Sequence, residues 1–318
     1  MPFQTSGLHH ITATTGGDQD DLDFFAGTLG LALVKQTVNF DDPGVYHFYY
    51  ADAAGTPGSI MTTFPYGHRG TRRGLPGAGL TSRVVFSAPA DARTFWTRRL
   101  GERGAAYQDA QALGRPALWT TDPSGLPLAI AFGDDARDPS PGLGADVALR
   151  GILGVQFTVL EAEPVAEFLR DEFGMATTEA GSRGSGRRVL AEAGDGGPGR
   201  TLEVVEDAGA PEGKNGIGTV HHVAFRAPSD DTRDALRERL DSQGVRVTET
   251  RDRTYFRSIY FRDARRTGGV LFEVATDDPG FDADEDRGAL GAALRLPPGL
   301  EDEDAVRRGL PDITVPTP

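Results

Sequence analysis

Four of the six histidines in this 318-residue chain stand in two adjacent pairs. His9 and His10 open the run LHHITATT, and His221 and His222 open the similar run VHHVAFRA. Because successive side chains of a β-strand point to opposite faces, we expect only one member of each pair to face a shared site. A single strand histidine is adequately explained as a partly buried polar residue that hydrogen-bonds a carbonyl group. The repetition of the pair therefore indicates chemistry, with His10 and His222 as the candidate ligands.

An acidic residue in an apolar strand supplies a third candidate. Glu273 stands in VLFEVAT between Phe272 and Val274, so alternation places its carboxylate on the face opposite these side chains. An ionised carboxylate that faces a dry interior is unfavourable unless it is paired or binds a metal. The chain has no cysteine, so a metal must be held by His, Asp or Glu. Two imidazoles and one carboxylate form the facial arrangement typical of non-haem Fe(II) sites, and we predict that His10, His222 and Glu273 hold a metal.

These residues lie in a unit that the sequence repeats four times. The copies open with β-like runs at 8–14, 81–87, 153–159 and 220–226. Aligning the runs places His10, Arg83, Val155 and His222 at one position, with separations of 73, 72 and 67 residues. Each run precedes a stretch with apolar residues at helical spacing, at 20–29, 91–100, 164–173 and 230–243. Such regularity indicates an internal repeat rather than coincidence.

The rest of each copy completes the unit. A glycine suited to ending a helix follows each helical stretch, at Gly30, Gly101, Gly174 and Gly244. β-like runs separated by turn residues come next, so the unit is a strand, a helix and three strands, and the fold class is α+β. A Pro-, Gly- and Asp-rich stretch divides the chain, and we assign modules one and two to 1–135, a linker to 136–150, and modules three and four to 151–277. The acidic remainder, 278–318, is expected to be a C-terminal arm with one short helix near Leu290 and an otherwise extended path along the surface.

The middle copies show that this unit does not itself require histidine. Copies two and three have Ser82–Arg83 and Gly154–Val155 at the positions of the histidine pairs. Glu203 takes in copy three the place of the acidic candidate in copy four, but Val155 stands where a histidine ligand would be needed. We therefore interpret Glu203 as structural.

The first copy lacks an acid at the corresponding place. Its matching strand, SIMTTF, presents Thr62 or Thr63 there. Three protein ligands leave adjacent metal positions for an organic hydroxyl and O₂ together, whereas four ligands suit isomerase or lyase chemistry.

Composition limits the classes of partner. The net charge of −14 disfavours nucleic-acid binding, which needs clustered Lys and Arg. No apolar run approaches the roughly 20 residues of a membrane span, and the first ten residues do not resemble a secretory signal. We expect a cytoplasmic protein whose partner is a small molecule, and the sequence leaves a homo-oligomer open.

At this point the sequence resembles the vicinal-oxygen-chelate superfamily, which includes glyoxalases, bleomycin-resistance proteins and extradiol dioxygenases. Within it the chain is similar to ring-cleaving dioxygenases of the hydroquinone type. The stretches that carry the likeness span most of the chain: LHHITATT, LVKQTVNFDDPGVYHFYY, GTPGSIMTTFPY, TVHHVAFRA, DRTYFRSIYFR, GVLFEVATDDPGF and LPPGLE. The resemblance implies two curved mixed-sheet barrels built from four βαβββ modules. It implies an Fe(II)-dependent, in some members Mn(II)-dependent, enzyme that opens an aromatic diol of the hydroquinone or catechol type with both atoms of O₂.

The resemblance also implies site residues. The metal ligands fall on His10, His222 and Glu273, in agreement with the choice made from the residues alone. The neighbouring positions that it implies are His9, Thr12, His221, Arg253 and Tyr260.

Each of these neighbours has a candidate role and a plainer explanation. His9 or His221 is a candidate acid and base that titrates near neutrality. Arg253 is a candidate for holding negative charge and Tyr260 for donating a hydrogen bond. The plainer explanations are a surface ion pair for Arg253 and a core ring for Tyr260.

Convergence of the ends of the chain on one metal has a consequence for the fold. Modules one and four must share one curved sheet, which leaves modules two and three to pair with each other. Other polar residues are explained more simply, since His47 lines the pocket without binding the metal and Asn39, Asp41 and Asp42 cap their own turn.

Two alternatives remain open on the same fold. A glyoxalase-like, metal-dependent lyase or isomerase would turn over without oxygen uptake. A binding protein of the bleomycin-resistance kind would sequester a flat aromatic ligand without catalysing a reaction. The three-residue metal set favours the dioxygenase over both.

Overall fold

Four copies of one supersecondary unit build the protein. The computed structural model describes residues 3–183, 186–300 and 302–316, and within them each module has the predicted order of a strand, a helix and three strands. The first module comprises β1 (Leu8–Thr15), α1 (Asp18–Leu22), β2 (Ala32–Asn39), β3 (Asp42–Ala51) and β4 (Ile60–Pro65). The second comprises β5 (Leu80–Ala88), α2 (Arg93–Glu102), β6 (Tyr107–Ala112), β7 (Arg115–Thr121) and β8 (Pro127–Phe132). The third comprises β9 (Ile152–Val159), α3 (Ala162–Phe173), β10 (Ala176–Arg183), β11 (Gly186–Glu192) and β12 (Thr201–Glu206). The fourth comprises β13 (Thr219–Ala227), α4 (Asp230–Ser242), β14 (Arg251–Asp252), β15 (Arg257–Phe261) and β16 (Phe272–Thr276).

The strands form two curved, mixed sheets of eight strands each. The first sheet has the order β14-β15-β16-β13-β1-β4-β3-β2, and the second has the order β10-β11-β12-β9-β5-β8-β7-β6. The opening strands of two modules lie antiparallel at the centre of each sheet, and each is flanked by the parallel last strand of its own module. The α+β class with four βαβββ modules is therefore confirmed, as is the pairing of module one with module four.

One hydrophobic core serves both sheets. Phe157 of the second sheet packs against Phe272 of the first, with ring centroids 5.7 Å apart. Phe173 at the end of α3 contacts Phe225, Phe261 and Phe272 on the first sheet. Removing these aromatic surfaces from water fixes the position of one sheet relative to the other.

The glycines that end the helices follow the prediction with one exception. Gly30, Gly174 and Gly244 have φ values of +70°, +65° and +80°, in the left-handed region that favours glycine. Gly101, expected in this role, instead lies inside α2, which continues to Glu102. Gly104 follows that helix with φ +70° and takes the terminating position.

The C-terminal arm contains a helix that its Pro- and Gly-rich sequence did not predict. The short helix expected near Leu290 is a single 3₁₀ turn at Arg287–Ala289, whereas α5 spans Glu303–Gly309 in the stretch expected to be extended. The Asp302 carboxylate accepts a hydrogen bond from the backbone N–H of Ala305 at 2.8 Å and caps this helix. Glu301, the last residue of the LPPGLE motif, lies outside the described residues, as do the chain ends at 1–2 and 317–318.

Among the described residues, no helix has the length and apolar character needed to cross a membrane.

Candidate metal centre

Three buried side chains from the two ends of the chain meet at the centre of the first sheet. His10 Nε2 lies 3.2 Å from His222 Nε2, and Glu273 Oε2 lies 3.1 Å from the former and 2.8 Å from the latter. The exposed fractions of His10, His222 and Glu273 are 2%, 5% and 0%. One ligand atom from each residue therefore lies within 4.8 Å of the other two, which is close enough to hold a metal ion.

The chemistry of this group fits a divalent cation. Donor atoms held about 2.1 Å from one first-row metal, at roughly right angles, stand about 3 Å apart, and these donors do so. Both carboxylate oxygens of Glu273 are buried, and apart from the contacts of Oε2 with the two Nε2 atoms neither accepts a hydrogen bond of ordinary geometry within the described residues. A buried carboxylate with no donor needs a positive charge to offset its lost hydration. Burial would raise the pKa of Glu273, but the facing rings of His10 and His222 hold it well below its usual range.

Both histidine pairs stand at β-bulges, which the alternation argument did not anticipate. Between β1 and β13 the register skips His9 on one side and His221 on the other. Each bulge turns two neighbouring rings toward each other, so that His9 Nδ1 lies 2.9 Å from His10 Nδ1 and His221 Nδ1 lies 2.8 Å from His222 Nδ1. Each of these short contacts requires one shared proton.

The shared proton explains why the histidines come in pairs. With Nδ1–H of His10 donating to Nδ1 of His9, the Nε2 lone pair of His10 is free to face the metal position. The same arrangement between His222 and His221 frees the second Nε2 lone pair. One member of each pair could thus bind a metal while its neighbour fixes the tautomer.

The second sheet shows the same architecture without the metal-binding residues. Its two central strands bulge at Ser82 and Leu153, in the places of His9 and His221. Glu203 pairs with Gln156 in the second sheet as Glu273 pairs with Ala224 in the first. His222 precedes Ala224 by two residues, and Gly154 precedes Gln156 by two, so Gly154 is the counterpart of His222. The sequence alignment of Val155 with His222 was therefore wrong by one residue, because the third copy is offset at its bulge.

Glu203 is part of a structural ion pair. It is 1% exposed and accepts hydrogen bonds from the Gln156 amide and the Arg188 guanidinium. A Cβ at Gly154 would stand 2.2 Å from the carbonyl oxygen of Thr201, so no ligand side chain fits there. A guanidinium takes the role of the cation beside this carboxylate, as expected for a structural acid.

A threonine fills the fourth position of the metal site. Thr62 pairs with Thr12 as Glu273 pairs with Ala224, so Thr62 rather than Thr63 is the counterpart of the acid. Its hydroxyl lies 2.8 Å from the Thr12 hydroxyl and 2.9 Å from His47 Nε2. Thr12 thus contacts Thr62 at this fourth position and is not among the residues that line the cavity.

A cavity of about 380 Å³ opens in front of the three ligands. Aromatic rings form much of its wall, together with a few polar and charged groups. The lining side chains include Phe40, Tyr49, Phe64, Tyr66, Phe256 and Tyr260, with His47, His221, Asn39, Asp41, Arg251 and Arg253 among the polar ones. A flat aromatic molecule of one ring matches this volume and these walls.

Arg253 and Tyr260 reach this cavity together. Nε of Arg253 donates to the Tyr260 hydroxyl at 3.3 Å, and Nη2 lies 3.2 Å from Asp41 Oδ2. Burial opposes the charge on Arg253, yet Tyr260 and Asp41 raise its pKa above the usual value. Burial and the nearby Glu273 raise the pKa of Tyr260. Both groups therefore remain hydrogen-bond donors across the physiological pH range.

The surroundings of His9 and His221 shift their pKa values away from neutrality. Burial lowers the pKa of His221 to about 3, with a contribution from His222, and it lowers the pKa of His9 well below the usual value. These shifts favour the neutral form of both imidazole rings at pH 7.

Sequence reasoning missed several residues of the cavity wall. Asn39 does cap its turn by accepting from the backbone N–H of Asp41 at 2.9 Å, but its amide also donates to the Tyr66 hydroxyl at 3.0 Å inside the cavity. His47 lines the cavity as predicted, and its Nδ1 lies 3.0 Å from the Tyr49 hydroxyl. Nothing in the sequence indicated that Phe256 lies in the cavity wall, because a single apolar residue is usually explained by burial in the hydrophobic core.

Comparison with known proteins places this geometry in context. A model of the Glyoxalase/Bleomycin resistance protein/Dioxygenase superfamily matches residues 151–274. MhqO of Bacillus subtilis (strain 168), provisionally named a ring-cleaving dioxygenase, is 38% identical over 300 residues, which cover 93% of each chain. A chlorohydroquinone/hydroquinone 1,2-dioxygenase of Sphingobium indicum is 34% identical over 313 residues, covering 95% of this chain and 94% of that protein.

Solved structures show the same architecture. A crystal structure from Bacillus subtilis subsp. subtilis str. 168, provisionally named a dioxygenase, superposes with a TM-score of 0.90 at 36% identity, covering 99% of both chains. Glyoxalase I of Zea mays superposes with a TM-score of 0.64 at 13% identity, covering 85% of this chain and 92% of that chain. The second likeness concerns the fold alone.

Proposed function

Because the chain belongs to the glyoxalase/bleomycin resistance protein/dioxygenase superfamily, we propose that it is a metal-dependent dioxygenase that opens the ring of a hydroquinone- or catechol-type diol. The reaction would consume one O₂ per ring, place both oxygen atoms in the product, and break a ring bond beside a hydroxyl-bearing carbon, as extradiol enzymes do. The named activities of the relatives support the reaction class. The choice of ring position is part of the proposal.

One observation carries this proposal above all. Two Nε2 lone pairs and one carboxylate converge at the floor of a cavity whose walls suit a single aromatic ring. A redox-active divalent metal held by His10, His222 and Glu273 would supply the route by which triplet O₂ reacts with a closed-shell diol. We assign Fe(II) to this position, with Mn(II) as the alternative, because this ligand set is typical of non-haem iron oxygenases.

The chain's own groups prepare the diol for this chemistry. The Arg253 cation, fixed by Asp41, stabilises negative charge on an oxygen of the bound diol. The Tyr260 oxygen accepts from Arg253, which leaves its own proton to donate into the cavity. These two donors hold and orient the substrate, and the surrounding rings exclude water from it.

Two neutral imidazoles complete the site. His221 lines the cavity, and with its Nδ1 accepting from His222 it presents Nε2–H to the substrate. His9 fixes the tautomer of His10 from the opposite side of the cavity wall. His9 and His221 are therefore assigned as hydrogen-bonding partners of the ligands, with Thr12 supporting the fourth position through Thr62.

The glyoxalase-like alternative lacks support at one position. A four-ligand site would need a carboxylate in place of Thr62, whose hydroxyl instead binds Thr12 and His47. Metal-free binding of an aromatic ligand does not account for the convergence of the buried Glu273 carboxylate on the Nε2 atoms of His10 and His222.

The test is anaerobic loading with Fe(II) or Mn(II), followed by oxygen-uptake measurements with hydroquinone, catechol and a hemithioacetal. We expect uptake of one O₂ per diol consumed and none with the hemithioacetal. His10→Ala should abolish metal retention and uptake, whereas Arg251→Ala at the exposed rim of the cavity should retain the metal. Isomerisation of the hemithioacetal without oxygen uptake would contradict the proposal.

A further inference from the structure

A second cavity, of about 360 Å³, lies behind the metal-binding side chains. Phe256 lines both this cavity and the one in front of the metal centre. Its ring centroid is 5.0 Å from that of His9, which lines the second cavity, and 5.1 Å from that of His10, which lines the first. One aromatic ring therefore separates the two spaces at the metal ligand His10.

The wall of the second cavity is mainly apolar. Ala54, Pro57, Ile60, Phe281 and Leu290 supply most of it. The charged side chains on its lining stand toward solvent, since Asp277, Asp282 and Arg287 are 38%, 34% and 86% exposed. The cavity thus runs from a charged outer rim to an apolar inner end against Phe256.

A polar atom at the inner end has no partner. His9 is 2% exposed, and its Nε2 makes no hydrogen bond of ordinary geometry within the described part of the chain, although the backbone of Thr276 lies near enough to raise its pKa. The nearest carboxylate oxygen, Asp277 Oδ1, is 4.0 Å away, too far for a direct hydrogen bond. A metal on His10 Nε2 would require His10 to donate from Nδ1 to His9 Nδ1, and His9 would then carry its proton on Nε2. A buried N–H without a well-placed acceptor is unfavourable. A small molecule that accepts one hydrogen bond would relieve it.

We propose that this second cavity is the binding and entry site for O₂, separate from the cavity for the diol. The proposal rests on the dioxygenase function proposed above. A diol seated in the front cavity covers the open side of the metal ligands, so the gas needs another approach. O₂ is small and apolar and therefore suits a cavity lined by Ala, Pro, Ile, Phe and Leu side chains. It can also accept one weak hydrogen bond from His9. Movement of the Phe256 ring would pass it to the metal side.

Blocking the cavity tests the proposal kinetically. Leu290→Trp places an indole ring in the second cavity without altering any residue that lines the front cavity. We expect KM for O₂, measured at saturating hydroquinone, to rise about tenfold, the equivalent of about 1.4 kcal/mol, while KM for hydroquinone at saturating O₂ stays unchanged. Leu160→Trp, at a side chain 52% exposed in another part of the molecule, is the matched control and should leave both constants unchanged.

Xenon provides a readout that does not depend on turnover. Crystals of the wild-type protein pressurised with xenon should show the gas beside Ile60 and Phe256, and crystals of Leu290→Trp should not. Absence of xenon from the wild-type cavity, or an unchanged KM for O₂ in a variant whose cavity is filled, would overturn the proposal. Failure of the wild-type protein to consume oxygen with any diol would instead overturn the dioxygenase function, and the two failures are thereby distinguished.

Discussion

Thr62 stands in the first module where Glu273 stands in the fourth, and the hydroxyl of Thr62 is held by Thr12 and His47 rather than directed to a metal. The fold places four side chains at equivalent positions at the centre of the sheet, and His10, His222 and Glu273 are the three that we propose as metal ligands. With three protein ligands, a metal at this site would have room for both a diol hydroxyl and O₂. A fourth protein ligand would remove one of those two positions.

Thr62→Glu should convert the site to four protein ligands. We expect the variant to retain one metal per chain but to lose oxygen uptake at least about tenfold, because the new carboxylate occupies a position needed by O₂ or the diol. Metal analysis and an oxygen electrode measure the two effects, with circular dichroism to verify folding. Full uptake by a metal-loaded, folded variant would show that this position plays no part in oxygen chemistry.

The members of one histidine pair should differ in their effect on the metal. His222→Ala removes a ligand and should abolish metal retention, whereas His221→Ala removes the group that fixes the tautomer and should weaken affinity about 10- to 100-fold. Anaerobic titration with Mn(II) or Fe(II) gives both dissociation constants. Leu153→Ala changes the bulge of the second sheet that takes the place of His221 and serves as the control, with unchanged affinity expected. Equal losses in both histidine variants would argue against the division of roles.

Substitutions of the equivalent acids Glu273 and Glu203 should have different effects, the first on metal binding and the second on stability. Glu273→Gln should lose the metal, and Glu203→Gln should keep it while losing about 1–3 kcal/mol of unfolding free energy, since Arg188 is left without its partner. Urea denaturation of the metal-free proteins and metal analysis of the loaded proteins provide the measurements. If Glu203→Gln also lost the metal, the second sheet would have to contribute to binding.

Asp21 should make stability depend on pH. It is buried, its Oδ2 accepts from the hydroxyls of Tyr50 at 2.7 Å and Thr63 at 2.5 Å, and burial raises its pKa to about 7. The unfolded chain loses this proton near pH 4, so between about pH 4 and 7 the folded state binds more protons, and its stability falls as pH rises. The full effect, reached above pH 7, is about 4 kcal/mol.

Asp21→Asn removes this titration. The variant should therefore gain stability relative to the wild type at pH 8 and lose that advantage near pH 5. Urea denaturation at both pH values measures the difference, with Asp20→Asn at the exposed neighbouring position as the control. An advantage that does not change with pH would mean that the carboxyl is not protonated in the folded state.

Lys35 should anchor the C-terminal arm. Its buried ammonium donates to Asp284 at 2.6 Å and to the buried Glu285. Lys35→Met removes the buried cation beside Glu285 and leaves that carboxylate with the more distant, partly exposed Arg295 at 3.6 Å. The free energy of unfolding should fall by about 3 kcal/mol. It should also make the arm, residues 278–316, more susceptible to limited proteolysis. The double variant Lys35→Met/Glu285→Gln should recover part of the loss, and a failure to do so would point to packing of the lysine stem instead.

Local patterns were sufficient to predict the repeat and the three side chains that meet at the centre of the first sheet. Alternation in VLFEVAT and the recurrence of the histidine pairs led to His10, His222 and Glu273, and the need for these to meet led to the pairing of the outer modules. These features follow from period-2 and period-3.6 patterns, which depend only on near neighbours in sequence.

The contacts within each histidine pair could not be predicted in the same way. Alternation places His9 and His10 on opposite faces, whereas a bulge brings their Nδ1 atoms within 2.9 Å. A bulge depends on how two strands 200 residues apart pair, which no local pattern reports. The same limit applies to the wall of the cavity, where Phe256 of one loop and Tyr66 of another meet only after folding.

Assembly of the first sheet from the earliest and latest modules bears on how the protein is made. A chain still emerging from the ribosome holds His10 from the outset, but its two partner ligands are added only after most of the other modules have been synthesised. Products of premature termination therefore lack the complete triad. Under the proposed ligand set, metal uptake would report that translation had passed residue 273.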